Sequence, residues 1–160
     1  MTPPREPPTL CDAGVDGLPE VMTTMADAFD PVFGEAWTQS QCLGILSLPG
    51  VWLTLARIDD RPAGFALSRV VIDEAELLLL AVRPADRRAG IGLALLEHVA
   101  HAARTRGARR LFLEVRSGNP ARGLYDAAGF RAVGTRQGYY RGRDGTAHDA
   151  HTLERRLDIR

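Results

Sequence analysis

The chain has 160 residues, 45% of them hydrophobic, with 20 basic and 20 acidic side chains and a formal net charge of zero. That length fits one domain around one sizeable core, and the balanced charge excludes a general nucleic-acid binder. Every basic side chain is arginine, so a lysine-dependent phosphate loop is excluded as well.

Cys11 and Cys42 stand far apart, with no CxxC pair and no histidine at ligand spacing. They read as small apolar residues in a reducing compartment, and no metal site is expected. Residues 1–8 are Pro-rich and polar, without the apolar stretch of a signal peptide, and no apolar run reaches the length of a membrane span. The expectation is a disordered tail over 1–8, one domain over 9–160, a cytoplasmic location and no membrane partner.

A short strand is expected over residues 9–13. From Leu18 to Phe29, apolar residues at 18, 21, 22, 25, 28 and 29 recur at helical spacing, which predicts an amphipathic helix ending at the Asp30-Pro31 break. Thr38 is placed to N-cap a second helix over 39–46. Phe33 and Trp37 fall on the loop between, either plugging the core's edge or walling a pocket.

Residues 51–58 alternate and are rich in strand formers; 59–62 (DDRP) turn the chain and 63–71 return as an antiparallel partner. After a turn near Asp73, the run EAELLLLAV (74–82) reads as a central strand buried on both faces. A helix from Ile91 to Gly107 follows, with Leu95, Leu96, Val99, Ala102 and Ala103 on its inner side and His98 and His101 on the surface. It leads to the strand LFLEV (111–115), parallel to 74–82 by the crossover rule.

A short helix is predicted over 120–128, with Asn119 as N-cap and Gly129 as its end. Residues 130–134 and 137–140 read as strand or loop, and 147–157 as a last strand pairing antiparallel with them. The fold class is therefore α/β (α+β): a mixed, mostly antiparallel sheet with a central parallel strand pair flanked by helices.

The chemistry concentrates after residue 74. In Arg87-Arg88-Ala89-Gly90-Ile91-Gly92, two glycines allow close backbone approach where a helix start offers unpaired amides and a positive dipole end. This predicts a diphosphate cradle. The competing dinucleotide turn, with Glu114 as ribose acid, is disfavoured because Leu95 stands at the third glycine position and the loop follows its strand at too great a distance.

These residues resemble the cofactor loop [Q/R]-x-x-G-x-[G/A] of the GNAT superfamily of N-acetyltransferases, matched by Arg87, Gly90 and Gly92. Further local matches are Trp37-Thr38, 71–82, GIGLALLEH (90–98), LEVR (113–116), Leu124-Tyr125, Gly129-Phe130 and Tyr139-Tyr140 before Asp144-Gly145. Within the superfamily they resemble the bacterial ribosomal-protein-alanine N-acetyltransferases. The resemblance implies acetyl-CoA as co-substrate, held by Leu80, Ala81 and Val82 on a strand edge, by Arg87, Arg88, Ala89, Gly90, Ile91, Gly92 and Leu93 in the loop, and by Asn119. Asn119 lies one residue closer to Tyr125 than is usual in the family.

The resemblance also implies Glu114 as the base that deprotonates the amine and Tyr125 as the acid that protonates the departing thiolate. Trp37, Tyr139 and Tyr140 would line the groove for the acceptor, the N-terminus of a ribosomal protein. Physically, a carboxylate within an apolar strand is expected to be a better base through burial, and backbone N–H groups near Ala81 or Val82 suit a developing oxyanion. Core packing is the competing reading for each aromatic residue. Another amine acceptor, or a non-catalytic acyl-CoA-binding module, are the alternative functions.

Overall fold

The computed structural model describes residues 6–30 and 33–157. Residues 1–5 of the expected tail, and Pro31 of the expected helix break, lie outside the described residues. The elements are β1 (Thr9–Ala13), α1 (Leu18–Ala28), α2 (Gln39–Leu46), β2 (Val51–Ile58), β3 (Arg61–Val71), β4 (Glu74–Val82), α3 (Ile91–Thr105), β5 (Arg110–Arg116), α4 (Arg122–Ala127), β6 (Arg131–Arg141) and β7 (Ala147–Arg156).

The strands form one sheet in the order β1-β2-β3-β4-β5-β7-β6, antiparallel except for β4 beside β5. Helix α3 is the crossover between these two, which is why they run parallel. Strand β7 inserts between β5 and β6, so the last hairpin folds back on itself to finish the sheet.

Two cores lie on opposite faces. Leu95, Leu96 and Val99 of α3 are fully buried with Leu111 and Leu113 of β5 on one face. Leu18, Val21 and Met25 of α1 pack with Leu53, Leu55, Phe65 and Leu67 on the other. Each such fully buried Leu stabilises the fold by ~2 kcal/mol relative to an exposed one. Gly17 ahead of α1 is buried so closely that a Cβ there would lie 3.0 Å from Leu53 Cδ2.

The β2–β3 connection is tighter than the sequence suggests. Asp59 and Asp60 both take positive φ (50° and 61°) and form the whole two-residue turn, so Arg61 and Pro62 already belong to β3. The segments expected over 130–134 and 137–140 likewise fall in one strand, β6 (Arg131–Arg141), whose pairing with β7 shifts register after Ala132 and after Arg136.

Strand β4 is not uniformly buried as its leucine run implied. Leu67 pairs with Leu79 and Ser68 with Leu77, leaving Leu78 as an extra residue, a bulge. The extra residue reverses the alternation. Ala75 and Leu77 point to the α3 face, whereas Leu79 and Ala81 point to the α1 face. Pairing of β4 with β5 runs from Glu74–Arg110 to Leu77–Leu113 and stops there. Beyond that register point the two central strands part.

Candidate active site

A cleft of about 590 Å³ occupies the gap where β4 and β5 part. Its walls include residues 76–82 of β4, residues 113–116 of β5, the loop before α3, the start of α4, and the segment after α1. Leu78, Leu80 and Val82 are only half-buried because they face this cleft.

On the α3 side, Arg88 and Gly90 adopt left-handed backbone conformations (φ 64° and 79°) just before the helix. The first intrahelical bond runs from Ala94 N to Gly90 O at 3.0 Å, so the amides of Ile91, Gly92 and Leu93 have no acceptor within the helix. No side chain caps this end. The result is an open anion cradle of backbone donors at the positive end of a helix. Gly92 also permits a close approach, since a Cβ there would lie 2.7 Å from Leu124 Cδ2.

The arginines of the cradle are not equivalent. Arg83 pairs with Asp27 at 3.0 Å, and Arg87 donates to the carbonyls of Val82 (3.2 Å) and Ala28 (2.9 Å), so both serve the scaffold. Arg88 is exposed at the cleft and makes no hydrogen bond or ion pair among the described residues. Ala89 packs against the α3 core and is not part of the cleft wall, unlike the other sequence-predicted residues of the loop.

Glu114 and Tyr125 are both in the cleft wall. The surroundings of Glu114 are more polar than its apolar strand implied: its Oε2 accepts from Thr152 Oγ1 at 2.9 Å and its Oε1 lies 3.4 Å from Arg136 Nε. Those partners come from β7 and β6, which the sheet order brings alongside β5. Tyr125 is 7% exposed and stacks edge-on against Phe130 at 5.9 Å. Its phenol is pushed well above the usual range by burial, and secondarily by the charge of Glu35.

Asn119 does not cap α4, which begins at Arg122. Its Oδ1 instead accepts from Ala121 N at 2.8 Å, closing the turn ahead of the helix. With the Asn119 side chain engaged in that turn, the N-cap position falls on Ala121. Trp37 precedes a capping box in which Thr38 accepts from Gln41 N at 3.2 Å and Gln41 accepts from Thr38 N at 2.8 Å. It both packs on the α1 core and faces the cleft. Tyr139 and Tyr140 stack edge-on at 4.9 Å at the cleft's other wall, with Tyr140 Oη donating to Glu114 O at 3.2 Å.

The family model for the "Acetyltransferase (GNAT) family" matches residues 18–130. The chain belongs to the GNAT acetyltransferase family. It is 47% identical over 83 residues to a "[Ribosomal protein bS18]-alanine N-acetyltransferase" of Salmonella typhimurium, covering 51% of this chain and 56% of that protein. It is 32% identical over 110 residues to a "Putative [ribosomal protein bS18]-alanine N-acetyltransferase" of Bacillus subtilis, covering 68% and 73%. The match to the Salmonella relative thus spans little more than half its length. The crystal structure of the ribosomal-protein-S18-alanine N-acetyltransferase from Escherichia coli superposes with a TM-score of 0.83 at 29% identity, covering 96% of both chains.

This GNAT chain carries one wall that sequence reasoning missed. Glu35, in the loop between α1 and α2, accepts from Arg116 Nε at 3.1 Å and from Asn119 Nδ2 at 2.8 Å. The Arg116 guanidinium also lies 3.6 Å over the Phe33 ring. These contacts draw the loop across the cleft, where Phe33 forms part of the wall without packing into either core. An acid among aromatics in a loop was the available signal, but its partner lies 81 residues away. Among the described residues no group of three or more His, Cys, Asp or Glu side chains is placed to hold a metal ion, and no helix is long and apolar enough to cross a membrane.

Proposed function

We propose that this chain transfers an acetyl group from acetyl-CoA to the N-terminal alanine of a ribosomal protein, by direct attack within a ternary complex. The observation carrying the reading is the parting of β4 and β5 beyond Leu77–Leu113. It sets a free strand edge and an uncapped helix start on one side of a cleft that has Glu114 and Tyr125 on the other. The named relatives supply the acceptor class.

The cradle suits the co-substrate. The free edge of β4 from Leu80 to Val82 offers peptide groups to an amide-bearing arm, as an added strand would, and the amides of Ile91, Gly92 and Leu93 offer donors to a diphosphate. Acetyl-CoA when bound supplies a thioester carbonyl open to attack and a thiolate leaving group.

The remaining work falls to the chain. Near pH 7 about a tenth of a terminal α-amine, reference pKa about 8, is already neutral, whereas well under a thousandth of a lysine amine is. One carboxylate therefore suffices: Glu114 takes the proton from the acceptor ammonium. Thr152 and Arg136 hold that carboxylate in place. Tyr125, kept neutral by burial, retains a phenolic proton for the thiolate. Trp37, Phe33, Tyr139 and Tyr140 wall the acceptor end of the cleft.

The test is steady-state kinetics with alanine-initiated peptides, reading acetylation by mass spectrometry. Glu114→Gln and Tyr125→Phe are each expected to lower kcat by about 100-fold, the usual scale for one general acid or base. If both variants turn over at the parent rate, the assigned roles are wrong. If lysine side chains, polyamines or free amino acids are acetylated and alanine N-termini are not, the acceptor is wrong.

A further inference from the structure

A second hollow, of about 380 Å³, opens on the face of β4, β5 and β7 opposite α3. Its wall includes Arg69, Glu74, Glu76, Phe112, Arg136 and Thr152, and it shares Glu76 and Glu114 with the cleft. Glu76 and Glu114 therefore stand on the border between the cleft and the hollow.

The charges along the hollow are unequally satisfied. Glu74 pairs with Arg110 at 3.3 Å, and Glu114 is held by Thr152 and Arg136. Arg69 stands directly across from Glu76 in the β3–β4 register, one strand further from Glu114, yet the two do not close into an ion pair. Glu76 forms no hydrogen bond or ion pair among the described residues. Its carboxyl is pushed above the usual range, first by desolvation and then by the charge of Glu114, against the pull of Arg136 and Arg69. Glu76 is nonetheless exposed at the wall of the hollow, where a cation would offset the repulsion from Glu114.

The register sets the reach. Glu76 is opposite Phe112, and Glu114 is two residues further along β5. Typical strand spacings then put the Glu76 and Glu114 Cα atoms about 8 Å apart. An extended polypeptide covers about 3.4 Å per residue, so its second or third side chain passes over Glu76.

We propose that this hollow receives the acceptor polypeptide beyond its first residue, with Glu76 selecting a cationic side chain at its second or third position. The inference rests on the protein N-terminus being the acceptor.

The experiment compares alanine-initiated hexapeptides carrying Arg, norleucine or Glu at position two or three. The Arg peptide is expected to have a kcat/KM about tenfold above the norleucine peptide at one of these positions, mainly through KM. In Glu76→Gln that ratio collapses toward one, and in Glu76→Lys it inverts in favour of the Glu peptide. The charge reversal keeps the test decisive even where the Gln variant loses stability. No discrimination in the parent chain, or discrimination that survives in Glu76→Gln, overturns the inference while leaving the acceptor class intact. If no alanine-initiated peptide is acetylated whatever its charge, and another amine is, the acceptor class falls and this inference with it.

Discussion

The Glu35 carboxylate lies 3.1 Å from the Arg116 guanidinium, their side chains only 11% and 8% exposed, and the pair ties the loop after α1 to the far end of β5. Removing one member strands the other's charge in a site with little water. Glu35→Ala is therefore expected to cost about 3 kcal/mol, the lower end for a broken buried pair, because Arg116 keeps its bond to Ser117 O and its seat over Phe33. Glu35→Gln, which retains an acceptor for Asn119, should lose less. Urea unfolding measures both; an unchanged midpoint in Glu35→Ala would mean the pair holds nothing.

Gly90 separates backbone strain from ligand approach. With φ at 79°, alanine there costs about 1 kcal/mol of stability, and the added Cβ meets no atom within 4 Å, so conformational strain is the whole cost. In the proposed reading, an anion would reach the amides of α3 through that same open space. Gly90→Ala should accordingly weaken CoA binding by more than about tenfold, beyond its small stability loss. Calorimetric titration with CoA beside thermal unfolding checks this, and equal binding in the two chains would remove the loop as the cradle.

Alkaline stability reports the buried phenols. Tyr125 is pushed above its ordinary range by burial and then by Glu35; Tyr140 is pushed the same way, by burial first and then by Glu35, Tyr139, Glu114 and Tyr125. Raised folded-state pKa values mean that the unfolded chain releases these protons first. Their stabilising contribution is complete below about pH 10, the unfolded phenol's pKa, and is lost as pH rises above it. Unfolding midpoints should therefore fall above that pH, and fall less steeply in Tyr125→Phe. For catalysis, the same shift means that no falling limb of kcat near pH 9 belongs to Tyr125.

Much of this architecture was legible because local periodicity carries it. The helical spacing from Leu18 to Met25, the Thr38 cap and the alternation of 51–58 each specify an element without help from elsewhere. The resemblance likewise named residues that the fold gathers in one cleft, Glu114 and Tyr125 among them. Four consecutive leucines hide the bulge at Leu78, since a run without polar residues shows no phase to reverse. The insertion of β7 beside β5 is a matter of topology, and it is what sets Thr152 and Arg136 against Glu114. Glu35 was missed for a similar reason: its partners Arg116 and Asn119 reach it only after the sheet has formed.

Gly34 offers a way to loosen the loop across the cleft without touching a charged group. It sits at φ 68°, and a Cβ there would overlap the carbonyl of Arg141 at the end of β6. Backbone cannot yield as a side chain tip would, so Gly34→Ala has to lift the loop off β6, at more than about 1 kcal/mol. Phe33 and Glu35 flank the glycine, and Trp37 is three residues on; all three line the cleft where the acceptor is proposed to enter. The cradle at α3 is built from other elements. The expected result is a KM for the acceptor peptide raised several-fold, with CoA affinity within about twofold of the parent, as for a lost group that binds ground and transition states alike. A variant that loses CoA binding in step with the peptide would show that the loop supports the whole cleft and not the acceptor end alone.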